Sequence, residues 1–317
     1  MAELAVVIVT WNVRDLALNT LRSLFADLDA NGPTAQVYVV DNASVDGTVE
    51  AIQSAFPQVR LIASPENLGF GKANNRALRE ISSGHPANSA LPQAVYLLNP
   101  DTLTQPGATR TLYDTLVATP QLGLVGAALE YENGDFQHAA FHFPGLRQLW
   151  VEFFPTPGRL YDSAFNGRYS RSQYTVSQPF DIDFPLGATM MLRREVIEQT
   201  GGFDEQFFMY CEEIDWAWRI HNAGWRVQCV PAAKVTHLEA RSTGQIRAQS
   251  IINLWQSRLR LYRKHQPAWK VWLARQMIVL GMGRKIRQVS TDTSLTEVQQ
   301  TAQIDAYRTV QQMAGQS

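Results

Sequence analysis

Residues 4–48 read LAVVIVTWNVRDLALNTLRSLFADLDANGPTAQVYVVDNASVDGT, and their pattern decides the fold. Leu4 to Thr10 is a β-branched, almost wholly apolar run, which is how a strand buried on both faces reads. An amphipathic helix follows from about Arg14 to Leu28. A second apolar strand, Gln36 to Val40, ends in Asp41, and the loop DNASVDGT is dense in turn-forming residues before a helix over Val49 to Phe56. The alternation continues with a strand at Val59 to Ala63, a helix at Asn67 to Ile81 with Gly69 and Gly71 at its mouth, and a strand at Ala94 to Leu98. Alternating strand and helix order predicts an α/β fold with a mostly parallel central sheet, flanking helices and a ligand cleft at the carboxyl ends of the strands.

Those strand ends are polar: Thr10 with Asn12, Asp41 with Asn42, Asn67, and Asn99 with Asp101. A cleft lined this way suits a polar ligand. The first turn, TWNVRD, lacks the glycines of a dinucleotide fingerprint, and no GxxxxGK[ST] occurs, so hydride transfer on a nicotinamide and P-loop phosphoryl transfer are set aside.

Composition narrows the class further. The chain has 317 residues, 45% hydrophobic and 18% charged, with a net charge of −1, ordinary values for a soluble globular protein. Nothing in that charge provides a field for nucleic acid. Cys211 and Cys229 have no ligand spacing and indicate a reducing compartment. Leu4 to Thr10 is too short for a signal-peptide core, and no run reaches the roughly 18 apolar residues of a spanning helix. A cytoplasmic location is expected.

A second informative stretch runs from Pro185 to Val227. It sets Glu212, Glu213 and Asp215 at the entrance of a helix in which Ile214, Ala217, Trp218 and His221 recur at helical spacing, with Asp215 and Arg219 read as a surface pair four apart. One acid in a first turn is ordinary dipole compensation. Three within four residues repel one another, and the GGFD turn at 201–204 would hold them at a pocket rim, an arrangement suited to catalysis.

Taken in order, VVIVTWN (6–12), VVDNASVDGT (39–48), ENLGFGKANNRAL (66–78), LLNPDT (97–102) and GGFDEQFFMYCEEIDWAWR (201–219) resemble the successive motifs of family-2 inverting glycosyltransferases with the GT-A fold, and most closely its rhamnosyltransferase-like branch. The resemblance covers about residues 4–245. It implies a GT-A domain over 1–245 and a C-terminal helical region over 246–317. It also implies that Asp41 accepts the N3–H of a uracil or thymine ring, with Thr10 and Asn12 beside it, and that Asn67, Lys72 and Asn74 face the nucleotide; Lys72 suits a solvated surface position equally well. Asp101 takes the position of the family's metal-binding acid, where hard oxygen ligands fit Mg²⁺ or Mn²⁺. The usual acid-x-acid pair is here Asn99-Pro100-Asp101, leaving one carboxylate. His237 matches a histidine that completes the metal site in many relatives. Glu213 aligns with the general base, with Glu212 and Asp215 as supporting acids, and the alternative of Glu212 as base stays open.

The implied activity is inverting transfer from a nucleoside-diphosphate sugar, dTDP-rhamnose first, to a saccharide or lipid-linked saccharide of a cell-surface polysaccharide. A UDP-hexose or galactofuranosyl transferase and a non-catalytic nucleotide-sugar-binding subunit are the alternatives. Two stretches remain. Residues 131–180 are aromatic without periodicity, and Phe141, Phe143, Trp150, Phe153 and Phe154 read as a cover on the sheet or a subunit contact. From Ile251 onward, basic tryptophan-bearing helices suit packing, a homodimer contact or an anionic membrane surface.

Overall fold

The computed structural model describes residues 2–83, 92–238 and 247–316. Packing divides the chain into two compact units. The first comprises Met1–Phe141, Arg171–Phe208 and Glu213–Ser242; the second comprises His142–Ser170, Met209–Glu212 and Thr243–Ser317.

In the first unit the predicted alternation is realised as β1 (Leu4–Thr10), α1 (Arg14–Asn31), β2 (Ala35–Asp41), α2 (Thr48–Ala55), β3 (Arg60–Ala63), α3 (Phe70–Ser83) and β4 (Ala94–Leu98). The chain continues through β5 (Thr102–Thr104), α4 (Ala108–Ala118), β6 (Leu122–Glu130), β7 (Phe136–Gln137) and β8 (Ala140–Phe141). After residues of the second unit, including α5 (Leu146–Phe153), come α6 (Arg171–Thr175), β9 (Phe180–Asp181), β10 (Phe184–Pro185), β11 (Thr189–Arg193), α7 (Arg194–Thr200), α8 (Glu212–Asn222) and β12 (Arg226–His237).

The main sheet has the order β3-β2-β1-β4-β11-β6-β12-β5. β1 to β4 are mutually parallel, as are β6 and β12, while β11 runs antiparallel between β4 and β6, and β5 antiparallel on β12. The uninterrupted apolarity of β1 is explained by its place: all seven residues are buried, because helices cover both faces. β12 slips register between Val230 and Lys234, around Pro231, which has no N–H to give a ladder.

Helix α1 anchors the loops of the sheet. Its Ala17, Leu21 and Leu24 enter the core, and two buried polar residues reach across. The Thr20 hydroxyl bonds the carbonyls of Pro100 and Thr102, each at 2.8 Å. The Asp27 carboxylate accepts the N–H groups of Gly107 and Thr109, occupying the positive end of α4.

The second unit packs α5 with α9 (Arg247–His265), α10 (Ala268–Ser290) and α11 (Glu297–Gln316) around Phe153, Trp255, Leu259, Ile278, Met282 and Val310. Gly281 is required there, since a Cβ would fall 2.2 Å from the Phe153 ring. The aromatic stretch 131–180 therefore divides. Phe141 stacks on Phe184 at 5.6 Å in the first unit, Phe153 stacks on Trp255 at 5.2 Å in the second, and Trp150 stays 49% exposed.

Candidate active site

The parallel pairing of β1 and β2 brings Thr10 level with Asp41. The Thr10 hydroxyl donates to Asp41 Oδ1 at 3.1 Å and the Ser44 N–H to Oδ2 at 2.9 Å. Both residues are nearly sealed, Asp41 at 2% exposure, and a carboxylate with one donor on each oxygen retains lone pairs for a third. Asn12 beside them ties two loops together. Its backbone is left-handed, φ 52°, its N–H donates to Ser44 Oγ and its Oδ1 accepts the Val45 N–H at 2.8 Å, so it stitches the first loop to the second. A depression of about 280 Å³ lined by Asn12 to Leu16 and Asp46 lies at this edge.

Asn67 is likewise structural in its bonding. Its Oδ1 accepts from Asn42 Nδ2 and from the Gly69 N–H, while Asn42 Oδ1 takes the Leu68 N–H. Asn42, read from the sequence only as a polar strand end, is thus the clasp between the second and third strand ends. Gly69 sits at φ +78° with no room for a Cβ, which would lie 2.2 Å from the Phe208 carbonyl oxygen. On α3, Lys72 is exposed and Asn74 is buried with its amide on the Phe70 carbonyl one turn back. Neither is drawn toward Asp41 by any bond. The neighbouring Asn75, unmarked in the sequence, holds the Gly-Gly-Phe-Asp turn by bonding both the N–H and the carbonyl of Phe203.

Asp101 and His237, far apart in the chain, meet because β5 pairs with β12 in a register that sets Thr102 opposite His237. Asp101 Oδ1 lies 3.5 Å from His237 Nε2, and both side chains are below a tenth exposed. Asp101 Oδ1 and Asn99 Oδ1 are buried oxygens with no hydrogen-bond donor from the protein, an arrangement costly for a polar atom unless water, a cation or a ligand proton completes it. The other ring nitrogen, His237 Nδ1, lies 3.2 Å from the Gln137 amide, whose Oε1 also lacks a donor. Turning that amide over lets Oε1 accept an Nδ1–H and leaves the Nε2 lone pair facing Asp101. Among the described residues no group of three or more His, Cys, Asp or Glu forms a complete cage. The pair would fit a hard or borderline divalent cation, which would need further ligands from outside these two side chains.

Glu213 is the second residue of α8, and Gly187 packs against it: a Cβ on that glycine would touch Glu213 Cγ at 3.5 Å. The next residue, Ala188, accepts the Asn99 N–H at 3.0 Å. One short loop therefore borders both the helix mouth and the Asn-Pro-Asp turn. Burial pushes the Glu213 carboxyl up to about 7, against the lowering effect of the N–H groups of Glu213 and Ile214. A carboxyl titrating there is matched to proton abstraction near neutral pH.

Asp215 corrects the surface-pair expectation. It is fully buried, and its Oδ2 accepts from Arg219 Nε at 2.9 Å while the same guanidinium bonds the carbonyls of Thr200 and Gly202. The acid and the arginine brace the turn leading into the site. The buried face of α8 is also rotated from the expected one, consisting of Trp216, Ala217 and Ile220, with Trp216 against Phe203 at 4.7 Å.

Glu212 is 4% exposed and ends a strap, Met209–Glu212, that packs with the second unit. Tyr210 and Cys211 are consecutive non-glycine residues in the left-handed region, φ 70° and 67°. The Met209 carbonyl is held by Ser257 Oγ at 2.7 Å. Strain of about 1–3 kcal/mol per residue persists only where surroundings impose it. No residue type in the sequence signals it. The sequence Ala240–Ala248, ARSTGQIRA, reads as a loop that could close over a diphosphate through Arg241 or Arg247; its residues 240–246 lie outside the described residues.

Residues 2–253 match the model of the family described as glycosyltransferase like family 2. The chain is 31% identical over 216 residues, 66% of this chain and 68% of the relative, to the N-acetylglucosaminyl-diphospho-decaprenol L-rhamnosyltransferase of Mycobacterium tuberculosis. It is 39% identical over 56 residues, 18% of this chain and 21% of the relative, to the rhamnosyltransferase WbbL of Escherichia coli strain K12. Among solved structures, the mannosyltransferase PcManGT of Pyrobaculum calidifontis with GDP-Man and Mn²⁺ superposes with a TM-score of 0.54 at 18% identity, covering 98% of this chain and 86% of that one. GalNAc-T7 with UDP, GalNAc and Mn²⁺ gives 0.58 at 13% identity, covering 96% and 54%. These two likenesses establish a shared GT-A architecture. With most of its length matched by the family model and a relative above 30% identity over two thirds of both proteins, the chain belongs to glycosyltransferase family 2.

Proposed function

We propose that this protein transfers a sugar, first choice rhamnose from dTDP-rhamnose, to a saccharide or lipid-linked saccharide acceptor in cell-surface polysaccharide synthesis, with inversion at the anomeric carbon. The observation that carries the proposal is the pairing of a carboxyl raised to about 7, Glu213, with the donor-free oxygen of Asp101 on two sides of one loop, Gly187–Ala188. The rhamnosyl donor is favoured by the likeness to the mycobacterial L-rhamnosyltransferase, which by its name acts on N-acetylglucosaminyl-diphospho-decaprenol.

In this reading residues 1–245 form the transferase domain and 246–317 its helical extension. Asp41, kept in place by Thr10 and Ser44, accepts the pyrimidine N3–H. Asn67 and Asn12 shape the surrounding loops. Asp101 and His237 would hold Mg²⁺ or Mn²⁺, with Asn99 beside them. When bound, such a cation offsets the negative charge that collects on the departing diphosphate. Glu213 accepts the proton of the acceptor hydroxyl as its oxygen bonds to the anomeric carbon and the bond to the diphosphate breaks on the opposite face. Inversion needs only this one carboxylate. Glu212 supports the helix mouth, and Asp215 acts through Arg219 on the preceding turn.

The test is a donor screen that follows release of dTDP, UDP or GDP with and without EDTA. Release of dTDP from dTDP-rhamnose, lost with EDTA and lost in Glu213→Gln while dTDP binding persists, is the expected result. Turnover unchanged by Glu213→Gln contradicts the assignment of the base, and release from a UDP-sugar alone moves the donor to the alternative class.

A further inference from the structure

One face of α10 is left to solvent. Trp269 and Trp272 are 60% and 61% exposed and Leu280 63%, with Leu273 also open. Ala274, Ile278, Gly281 and Met282 of the same helix are buried. With the exposed Gln276 between them, the open positions 269, 272 or 273, 276 and 280 recur at intervals of three and four, so they form one stripe, and Arg284 and Arg287, both exposed, continue it toward the helix end. Single exposed apolar side chains are ordinary, but two half-open indoles with two leucines on one stripe mark a surface that something covers.

The charge around the stripe says what that is. Helices α9 and α10 and the turn between them carry many Lys and Arg residues and not one Asp or Glu. A second copy docked by two-fold symmetry would set this basic segment against itself. An anionic surface complements it, and a tryptophan with an apolar body and a polar edge belongs at a bilayer's headgroup boundary. Among the described residues no helix is long and apolar enough to cross a membrane, which leaves α10 to lie along one.

We propose that the Trp269–Arg287 stripe of α10 docks this protein on an anionic phospholipid bilayer, indoles and leucines in the headgroup boundary and guanidinium groups on lipid phosphates. The proposal does not depend on the donor or acceptor assigned above. Sedimentation of the full chain with vesicles of phosphatidylcholine containing a third phosphatidylglycerol tests it, beside pure phosphatidylcholine vesicles. Binding to the anionic vesicles is expected, with the partition constant falling about tenfold or more in Trp269→Gln/Trp272→Gln. Arg284→Gln/Arg287→Gln should lose roughly fivefold per charge removed. Quenching of indole fluorescence by brominated lipids should be seen in the wild type and lost in the double tryptophan variant. All four positions are exposed, and unchanged melting temperatures confirm that the variants fold. Equal affinity for neutral and anionic vesicles, or wild-type binding by the tryptophan variant, overturns the proposal. So does a wild-type dimer that becomes monomeric in that variant, which assigns the stripe to self-association.

Discussion

Replacing Glu213 by Gln should stabilise the protein while removing its activity. A glutamate has an ordinary value of 4.5, and burial in this fold pushes Glu213 up to about 7. The folded state therefore resists ionisation that the unfolded chain accepts freely. Below pH 4.5 both states carry the proton and the site costs nothing. As pH rises from 4.5 through 7 the unfolded chain releases its proton first, and folding stability falls by about 1.4 kcal/mol per pH unit across that window, a total of about 3 kcal/mol on the plateau above pH 8. Gln fills nearly the same volume and does not titrate. Thermal melting of wild type and Glu213→Gln across pH 4–9 should show curves that coincide near pH 4, diverge through the window and run parallel above pH 8. The separation should be roughly 5 °C or more, at about 2 °C per kcal/mol for a chain of this size. The same variant should retain nucleotide binding and lose transfer by about two or more orders of magnitude. Melting curves separated equally at all pH values would refute the burial argument, since no titration would then distinguish the two side chains.

Three further outcomes follow from the geometry. Wild-type kcat/KM should rise with pH through an acid limb near 7, because Glu213 must lose its proton before it can accept another, and a rate profile flat between pH 5 and 8 contradicts that role. Gln137→Leu removes the partner of His237 Nδ1 and should weaken Mn²⁺ binding in the presence of dTDP by about 10–100-fold in calorimetry, whereas unchanged affinity separates Gln137 from the site. Arg219→Ala leaves Asp215 buried without its guanidinium partner and should cost about 3–5 kcal/mol in urea unfolding; a loss below 1 kcal/mol would show that Asp215 is not held as a buried ion pair.

How much of this was legible in the chain depends on the range of the interaction. The βα alternation is written locally, in seven-residue apolar runs such as Leu4–Thr10 and the polar residues that end them, so the first four strands were readable. The insertion of β11 antiparallel between β4 and β6 was not, since it rests on pairing Thr189–Arg193 with residues nearly a hundred positions away. The Asp101–His237 meeting followed from family resemblance but its cause, the β5–β12 register, belongs to the sheet. Spacing of four identified the Asp215–Arg219 pair and misjudged its burial, because a charge pair reads the same on either face of a helix. The bracing roles of Asn42 and Asn75 were missed for a related reason: an asparagine that satisfies backbone groups of another segment looks like any turn residue. The left-handed pair Tyr210–Cys211 carries no compositional mark at all.

The anomeric configuration of the product is the most direct check on single displacement by Glu213. Incubating the protein with dTDP-β-L-rhamnose and a saccharide acceptor, then reading the one-bond carbon–proton coupling of the new linkage by NMR, should give the α anomer, opposite to the donor. A β product would require two displacements or front-face attack, and one carboxylate acting as a base on the acceptor could not explain it.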